Sequence, residues 1–255
     1  MTKNLSKISI DVIMSCYNCE STVLNAIRSI LNTELNIRLL IVDDCSNDST
    51  FKLISSLNDS RIKCYKNSKN LGLSKSLNML ISKSDAKYIA RMDADDVVVN
   101  SRFEKQFQFL ESNKKVDVCG TFALGYYNSG KKVMLKRPLL HIDLLQKIHI
   151  QSPFIHPTVM ARAHFFKNNK YNPNFRRAQD WELFSRKINS YKYQNLPFAG
   201  IEYAISSGLS YKSIPIRYCA ALLASYRSDH FFYGLLINTI DIFKTSIGIF
   251  LRNFK

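Results

Sequence analysis

The chain has 255 residues, 46% of them hydrophobic and 22% charged, with only 8 glycines and 6 prolines. That composition supports one substantial core and excludes a disordered or low-complexity chain. The formal charge of +16 points to an anionic partner, for which nucleic acid, anionic lipid head groups and phosphorylated substrates all qualify, or else to a lysine-rich solvated surface.

In chain order, Ile8 to Met14 reads as a buried strand, followed by a turn at Ser15 to Cys19 and an amphipathic helix from about Ser21 with Val23, Ile27, Ile30 and Leu31 at helical spacing. A second apolar run, Leu39 to Val42, ends in Asp43-Asp44. Ser46 to Thr50 then supplies turn and capping chemistry for a helix bearing Leu53, Ile54 and Leu57. Arg61 to Tyr65 is a third strand, Asn70-Leu71-Gly72 a turn, Ser74 to Ser82 a third helix and Tyr88 to Met92 a fourth strand. This alternation predicts a parallel, doubly wound α/β sheet over the first hundred residues or so. Beyond it, Ser101 to Leu110 is helical, and Val116 to Tyr127 with Lys132 to Leu135 forms a hairpin around Asn128-Ser129-Gly130. A polar loop at Gln151 to Thr158 precedes helical segments, one of which opens at Asp180. From Phe231 to Leu251 the chain is largely apolar, with Gly234, Asn238, Asp241, Thr245, Gly248 and Arg252 forming a narrow small-or-polar stripe on a helix.

The most informative stretch is Arg91-Met92-Asp93-Ala94-Asp95-Asp96, an acidic knot in a basic chain. It leaves a strand at the sheet edge where open α/β sheets bind ligands. In extended backbone Asp93 and Asp95 share one face and can hold a divalent cation with a diphosphate between them. A solvated turn rich in aspartate is the alternative.

Six cysteines, Cys16, Cys19, Cys45, Cys64, Cys119 and Cys219, lie scattered, and the polar, basic first residues have no apolar segment behind them to act as a signal peptide. A reducing cytoplasm is the expected compartment. Cys16-Tyr17-Asn18-Cys19 imitates a redox CxxC, yet that chemistry leaves the acidic motifs unexplained, and no second CxxC completes a zinc site. Gly125 to Gly130 followed by Lys131-Lys132 imitates a phosphate-binding loop, but Lys132 replaces the required Ser or Thr.

Several motifs in fixed order resemble the bacterial family 2 glycosyltransferases of the GT-A fold, over about Ile8 to Leu196. They are Ser15-Cys16-Tyr17-Asn18, Val42-Asp43-Asp44-Cys45-Ser46, Asn70-Leu71-Gly72, the segment Ala90 to Asp96, His156-Pro157-Thr158 and Gln179-Asp180-Trp181-Glu182-Leu183. The resemblance implies a GT-A-like, Rossmann-type, mostly parallel sheet flanked by helices. Residues 1–210 would form the transferase domain, split into a nucleotide-sugar half (1–100) and an acceptor half (101–210), with 211–255 as an amphipathic helical extension.

It further implies an inverting transfer of a sugar, of the UDP-hexose type, onto a hydroxyl of a lipid-linked or surface glycan. Tyr17 would stack on the base, Asp43 or Asp44 accept the uracil imide proton, Asn70 and Arg91 contact the donor, and Asp93 face the ribose. Asp95, with His156 as a nitrogen ligand, would hold Mn²⁺ or Mg²⁺. Asp180 would be the general base. Glu182 lies about 200° further round the helix, so the two carboxylates do not share a site. Helix capping is the competing role for Asp43-Asp44 and for Asp180. Gln179 stands where the family often has an acid, and Tyr203-Ala204 where it often has Tyr-Arg.

The expected partners are the donor, the glycan acceptor and an anionic membrane surface, with the enzyme peripheral at the inner face of the cytoplasmic membrane. Nucleic acid is not expected, because a nucleic-acid binder leaves the carboxylates without a purpose. A nucleotidyltransferase also pairs aspartates with metal but wants a glycine-rich phosphate loop nearby, and none is there.

Overall fold

The computed structural model describes residues 9–127 and 129–204. The Phe231 to Leu251 stretch and the boundary at residue 210 lie outside the described residues. Strands β1 (Ile10–Cys16), β2 (Ile37–Asp43), β3 (Ile62–Lys66) and β4 (Tyr88–Arg91) alternate with helices α1 (Val23–Leu31), α2 (Thr50–Ser55) and α3 (Leu73–Lys83). Each β-α pair returns the chain in the same direction, so β3, β2, β1 and β4 pair in parallel in that order. This is the doubly wound half that the alternation predicted.

The chain continues through β5 (Val97–Val98), α4 (Arg102–Ser112), the hairpin β6 (Val118–Tyr126) with β7 (Lys132–Leu135), and α5 (His141–Lys147). A 3-10 turn (His156–Thr158) leads to β8 (Met160–Arg162), α6 (Ala163–Asn168), α7 (Gln179–Lys187) and β9 (Tyr193–Ala204). The sheet extends from β4 through β8, β6 and β9 to β5, with β7 paired to β6. β8 runs antiparallel to both β4 and β6, which joins the two halves into one sheet.

The sequence patterns missed β5, β8 and β9 for local reasons. β5 and β8 span two and three residues, too few for a period-2 signal. β9 carries Pro197 and Gly200, which read as strand breakers, and its pairing with β6 shifts register around Phe122.

Alternation along the strands divides the core. Ile10, Val12, Met14 and Cys16 of β1 face one layer with α1 and α4, including Ile27, Ile30 and Phe103. Ile13 faces the other with Leu77 and Leu80 of α3 and Phe165, Trp181 and Phe184 beyond them. One buried acid breaks the apolar run of β1: Asp11 accepts two bonds of 2.8 Å from its cross-strand neighbour Arg38. This bidentate pair leaves neither carboxylate oxygen unsatisfied.

Candidate active site

Because β1, β2 and β4 run parallel, their carboxyl ends and the loops that follow open on one edge. The first two loops hold each other. The Asn18 N–H donates to Ser46 Oγ at 2.9 Å, Asn47 N–H returns a bond to Asn18 Oδ1 at 2.9 Å, and Ser49 N–H donates to Glu20 at 2.8 Å. Asn18 and Cys45 sit at φ of 49° and 66°, the left-handed region that Asn tolerates and most residues avoid. The clasp leaves Tyr17 48% exposed, its ring available on the wall of a cleft of about 480 Å³ that also contains Asp44, Asn70, Asp93 and Asp95.

The two aspartates after β2 take different roles. Asp44 is buried and accepts from Asn67 Nδ2 (2.7 Å), Leu71 N–H (2.9 Å) and Gly72 N–H (2.8 Å). It therefore builds the turn that carries Asn70, with Gly72 at φ 82° where a side chain would be strained. Asp43 is fully buried; its Oδ2 accepts from Ser46 N–H at 3.2 Å, while Oδ1 has no partner among the described residues. Neither caps α2, whose first N–H group, that of Thr50, donates to Asp48 Oδ1 at 2.9 Å.

At the end of β4 the backbone does not stay extended. It turns at Ala94-Asp95, and that turn brings in a third carboxylate: ligand oxygens of Asp93, Asp95 and Asp96 all lie within 4.8 Å of one another. Asp96 is 1% exposed and its Oδ2 has no partner among the described residues. Burial, then the charges of Asp93 and Asp95, push its carboxyl up to about 8, and burial followed by Asp93 raises Asp95. An oxygen-only cluster whose members resist ionising together is chemically matched to a hard divalent cation. The buried guanidinium of Arg91 pairs with Asp93.

His156 lies apart from these carboxylates. Its Nε2 is 2.8 Å from the Tyr171 hydroxyl, and burial, with Arg91 adding to it, holds the imidazole neutral well below its ordinary range. It lines a neighbouring cleft of about 410 Å³ together with Arg91, Asp93, Gln179, Asp180 and Tyr203. Asp93 borders both clefts.

Asp180 reaches this second cleft from the second residue of α7. The helix begins at Gln179 with Ala178 as its N-cap at φ 56°, so Asp180 is not the cap. Its Oδ2 accepts from Ser152 Oγ at 3.1 Å. Burial raises the Asp180 carboxyl, opposed by the N–H of Trp181 and by Ser152. Trp181, Phe184 and Ile188 form the buried stripe, and the Trp181 indole donates to the Ile148 carbonyl at 2.6 Å. Glu182 points elsewhere and pairs with Arg186 at 2.7 Å, as the helical spacing predicts.

Three contributors were not singled out from sequence. Asp96 was signalled only by being the second of two adjacent acids. Ser152, 28 residues from Asp180, left no local mark. Arg102, fully buried, donates to the carbonyls of Arg91 (3.0 Å) and Val159 (3.2 Å) and so props the strand end that presents the acids.

Residues 11–200 match the family model described as glycosyl transferase family 2. An uncharacterised glycosyltransferase of Haemophilus influenzae is 30% identical over 210 residues, covering 77% of this chain and 65% of that protein. The Escherichia coli UDP-Glc:alpha-D-GlcNAc-diphosphoundecaprenol beta-1,3-glucosyltransferase WfaP is 35% identical over 106 residues, 41% of this chain and 42% of its own length. Among solved structures, S. aureus TarS residues 1–349 in complex with UDP-GlcNAc superposes with a TM-score of 0.69 at 19% identity, covering 87% of this chain and 67% of that one.

Proposed function

The chain belongs to glycosyl transferase family 2 and has the GT-A fold, and on that premise we propose that it transfers a sugar from a UDP-sugar to a hydroxyl of a lipid-linked or surface glycan, with inversion. The observation that carries the reading is the position of Asp93, which borders the cleft of Tyr17 and the cleft of Asp180 together. A donor lying across it would have its base on the Tyr17 side and its anomeric carbon toward Asp180.

Tyr17 offers a flat face to the uracil. The unpartnered, fully buried Oδ1 of Asp43 would accept an imide N–H once the loop after β2 opens to the base, and a base without that donor would leave it unsatisfied. Asn70 flanks the same cleft on the turn that Asp44 shapes, and Arg91 restrains Asp93 opposite the ribose. Asp95, with Asp93 and Asp96, would hold Mn²⁺ or Mg²⁺; when bound, the cation neutralises the diphosphate and stabilises the charge left on the departing nucleotide. His156, whose Nε2 faces Tyr171, would reach such an ion only through Nδ1. Asp180 takes the acceptor hydroxyl proton. Its desolvated carboxylate, brought closer to neutral pH by burial, is the stronger base for it.

The acceptor class rests on kinship with enzymes such as WfaP, whose name records a diphosphoundecaprenol-linked acceptor. Work on such an acceptor would place the protein peripherally at the inner membrane face. No helix among the described residues is long and apolar enough to cross a membrane.

The test separates the base from the donor site. Asp180→Asn keeps shape and should bind UDP-sugar and Mn²⁺ as the parent does, while transfer falls by about 10² to 10⁴. Glu182→Gln should change turnover far less. If Asp180→Asn retains near-parent turnover while Glu182→Gln loses it, the base is misassigned.

A further inference from the structure

Sugar transfer as proposed uses Tyr17 of the Cys16-Tyr17-Asn18-Cys19 motif but neither cysteine. Cys16 is the last residue of β1 and 1% exposed. Cys19 is half-buried and opens the turn into α1, its carbonyl accepting the N–H groups of Thr22 and Val23 at 3.0 Å. The backbone reversal between them, with Asn18 at φ 49°, brings the Cys16 thiol close enough to Cys19 for each to shift the other. The Thr50 hydroxyl donates to Cys19 Sγ at 3.9 Å, and Thr50 Oγ1 accepts the Cys19 N–H at 2.8 Å. Both cysteines line the cleft of Tyr17.

The contact makes the pair asymmetric. It lowers the Cys19 thiol and raises Cys16 well above the ordinary range, where burial adds to it. Burial of Cys19 and, less, the charge of Asp48 oppose its lowering, and Asp43 and Cys64 add to the raising of Cys16. A half-buried thiol that is lowered, beside a fully buried one that is raised, is the arrangement of an attacking and a resolving cysteine.

We propose that Cys16 and Cys19 are a peroxide-oxidisable dithiol in the wall of the donor cleft, and that closing it to a disulfide displaces Tyr17 and weakens nucleotide binding. The second half rests on the reading of that cleft as the donor site. The Cys19 thiolate attacks one oxygen of a hydroperoxide; the O–O bond breaks, Cys19 becomes a sulfenic acid and hydroxide leaves. That hydroxide takes the Cys16 proton, and the Cys16 sulfur attacks Cys19, breaking the S–O bond and expelling a second hydroxide. The second hydroxide takes up the proton released when Cys19 ionised, so the dithiol has lost two electrons and two protons, and hydrogen peroxide has become two waters. Forming an S–S bond of about 2.05 Å between two free thiols draws the ends of the turn together. Tyr17 and Asn18 are the only residues inside that ring, and Asn18 is tied to the second loop through Ser46 and Asn47.

The experiment treats the reduced protein with hydrogen peroxide, maps disulfides by mass spectrometry without reductant, and titrates UDP with Mn²⁺ by calorimetry before oxidation, after it, and after dithiothreitol. The expected result is a Cys16–Cys19 link and UDP binding weaker by about tenfold, as for loss of one aromatic stacking contact, restored by reductant. Peroxide should leave UDP affinity unchanged in Cys19→Ser. Since Cys16 packs in the core, Cys16→Ala is read separately: dimedone should then trap a sulfenic acid on Cys19. A link that forms without changing UDP affinity, a link to Cys45 or Cys64 instead, or sensitivity abolished by Cys45→Ser overturns the proposal. Failure of the reduced parent to bind UDP sinks the donor-site reading and the affinity claim with it, while the mapping still decides whether the dithiol exists.

Discussion

Asp44 gives the sharpest test of how the donor cleft is built. Asp44→Ala removes the acceptor of the Leu71 and Gly72 N–H groups and of the Asn67 amide. Each buried donor left without a partner costs about 1–3 kcal/mol, and because cleft water reaches part of the site the low end applies, for a sum of about 3–5 kcal/mol. In a chain of this length that lowers the melting temperature by on the order of 10 °C. Asp44→Asn keeps one oxygen for Asn67 and Leu71 but turns an N–H against Gly72, so it should cost about 1–3 kcal/mol. Calorimetric melting and UDP titration on both variants check this. If Asp44 acted only as a base-recognition group, UDP affinity would fall with the melt unmoved; an Asp44→Ala protein melting within about 2 °C of the parent would refute the loop-holding argument.

Ser152→Ala removes a donor that lowers the Asp180 carboxyl; since the base works only when ionised, the acid limb of the pH–rate profile should move to higher pH, measured at saturating donor. Asp95→Ala opens the three-carboxylate cluster, so Mn²⁺ should cease to tighten UDP, and chelator should reproduce that loss on the parent. Gly120→Ala places a methyl against Asn195 Oδ1 and 2.6 Å from the Phe154 ring; urea unfolding should show a loss of about 1–3 kcal/mol, with UDP affinity per folded molecule preserved.

The parallel half of the sheet was legible because its signals are local. Each apolar run ends within two residues of its polar ligands, as Val42 does before Asp43-Asp44, and a parallel sheet turns that adjacency in sequence into adjacency at one edge. What failed was finer than a motif. Extended backbone through Asp93 and Asp95 gave way to a turn at Ala94-Asp95, which is why Asp96 joins the cluster. Asp43 and Asp44 are interchangeable as letters, yet one side chain is spent on a turn 27 and 28 residues away and the other keeps an acceptor unpaired.

The surroundings of Asp180 were illegible for the opposite reason: they come from contacts that span the chain. Ser152 precedes the 3-10 turn, Tyr203 lies on β9, and Arg91 ends β4, so the cleft exists only once β8 has joined β4 to β6. Arg102 makes the same dependence physical. Burial lowers its guanidinium to about 9, a penalty tolerated because it serves the carbonyls of Arg91 in β4 and of Val159 just before β8, and the Gln106 Oε1 at 2.9 Å. A buried cation held mainly by neutral acceptors, with the charge of Asp96 favouring it, ties the position of the acidic cluster to the segment that leads into β8. The spacing between the Asp93, Asp95 and Asp96 cluster and Asp180 is thereby fixed by packing that neither motif encodes.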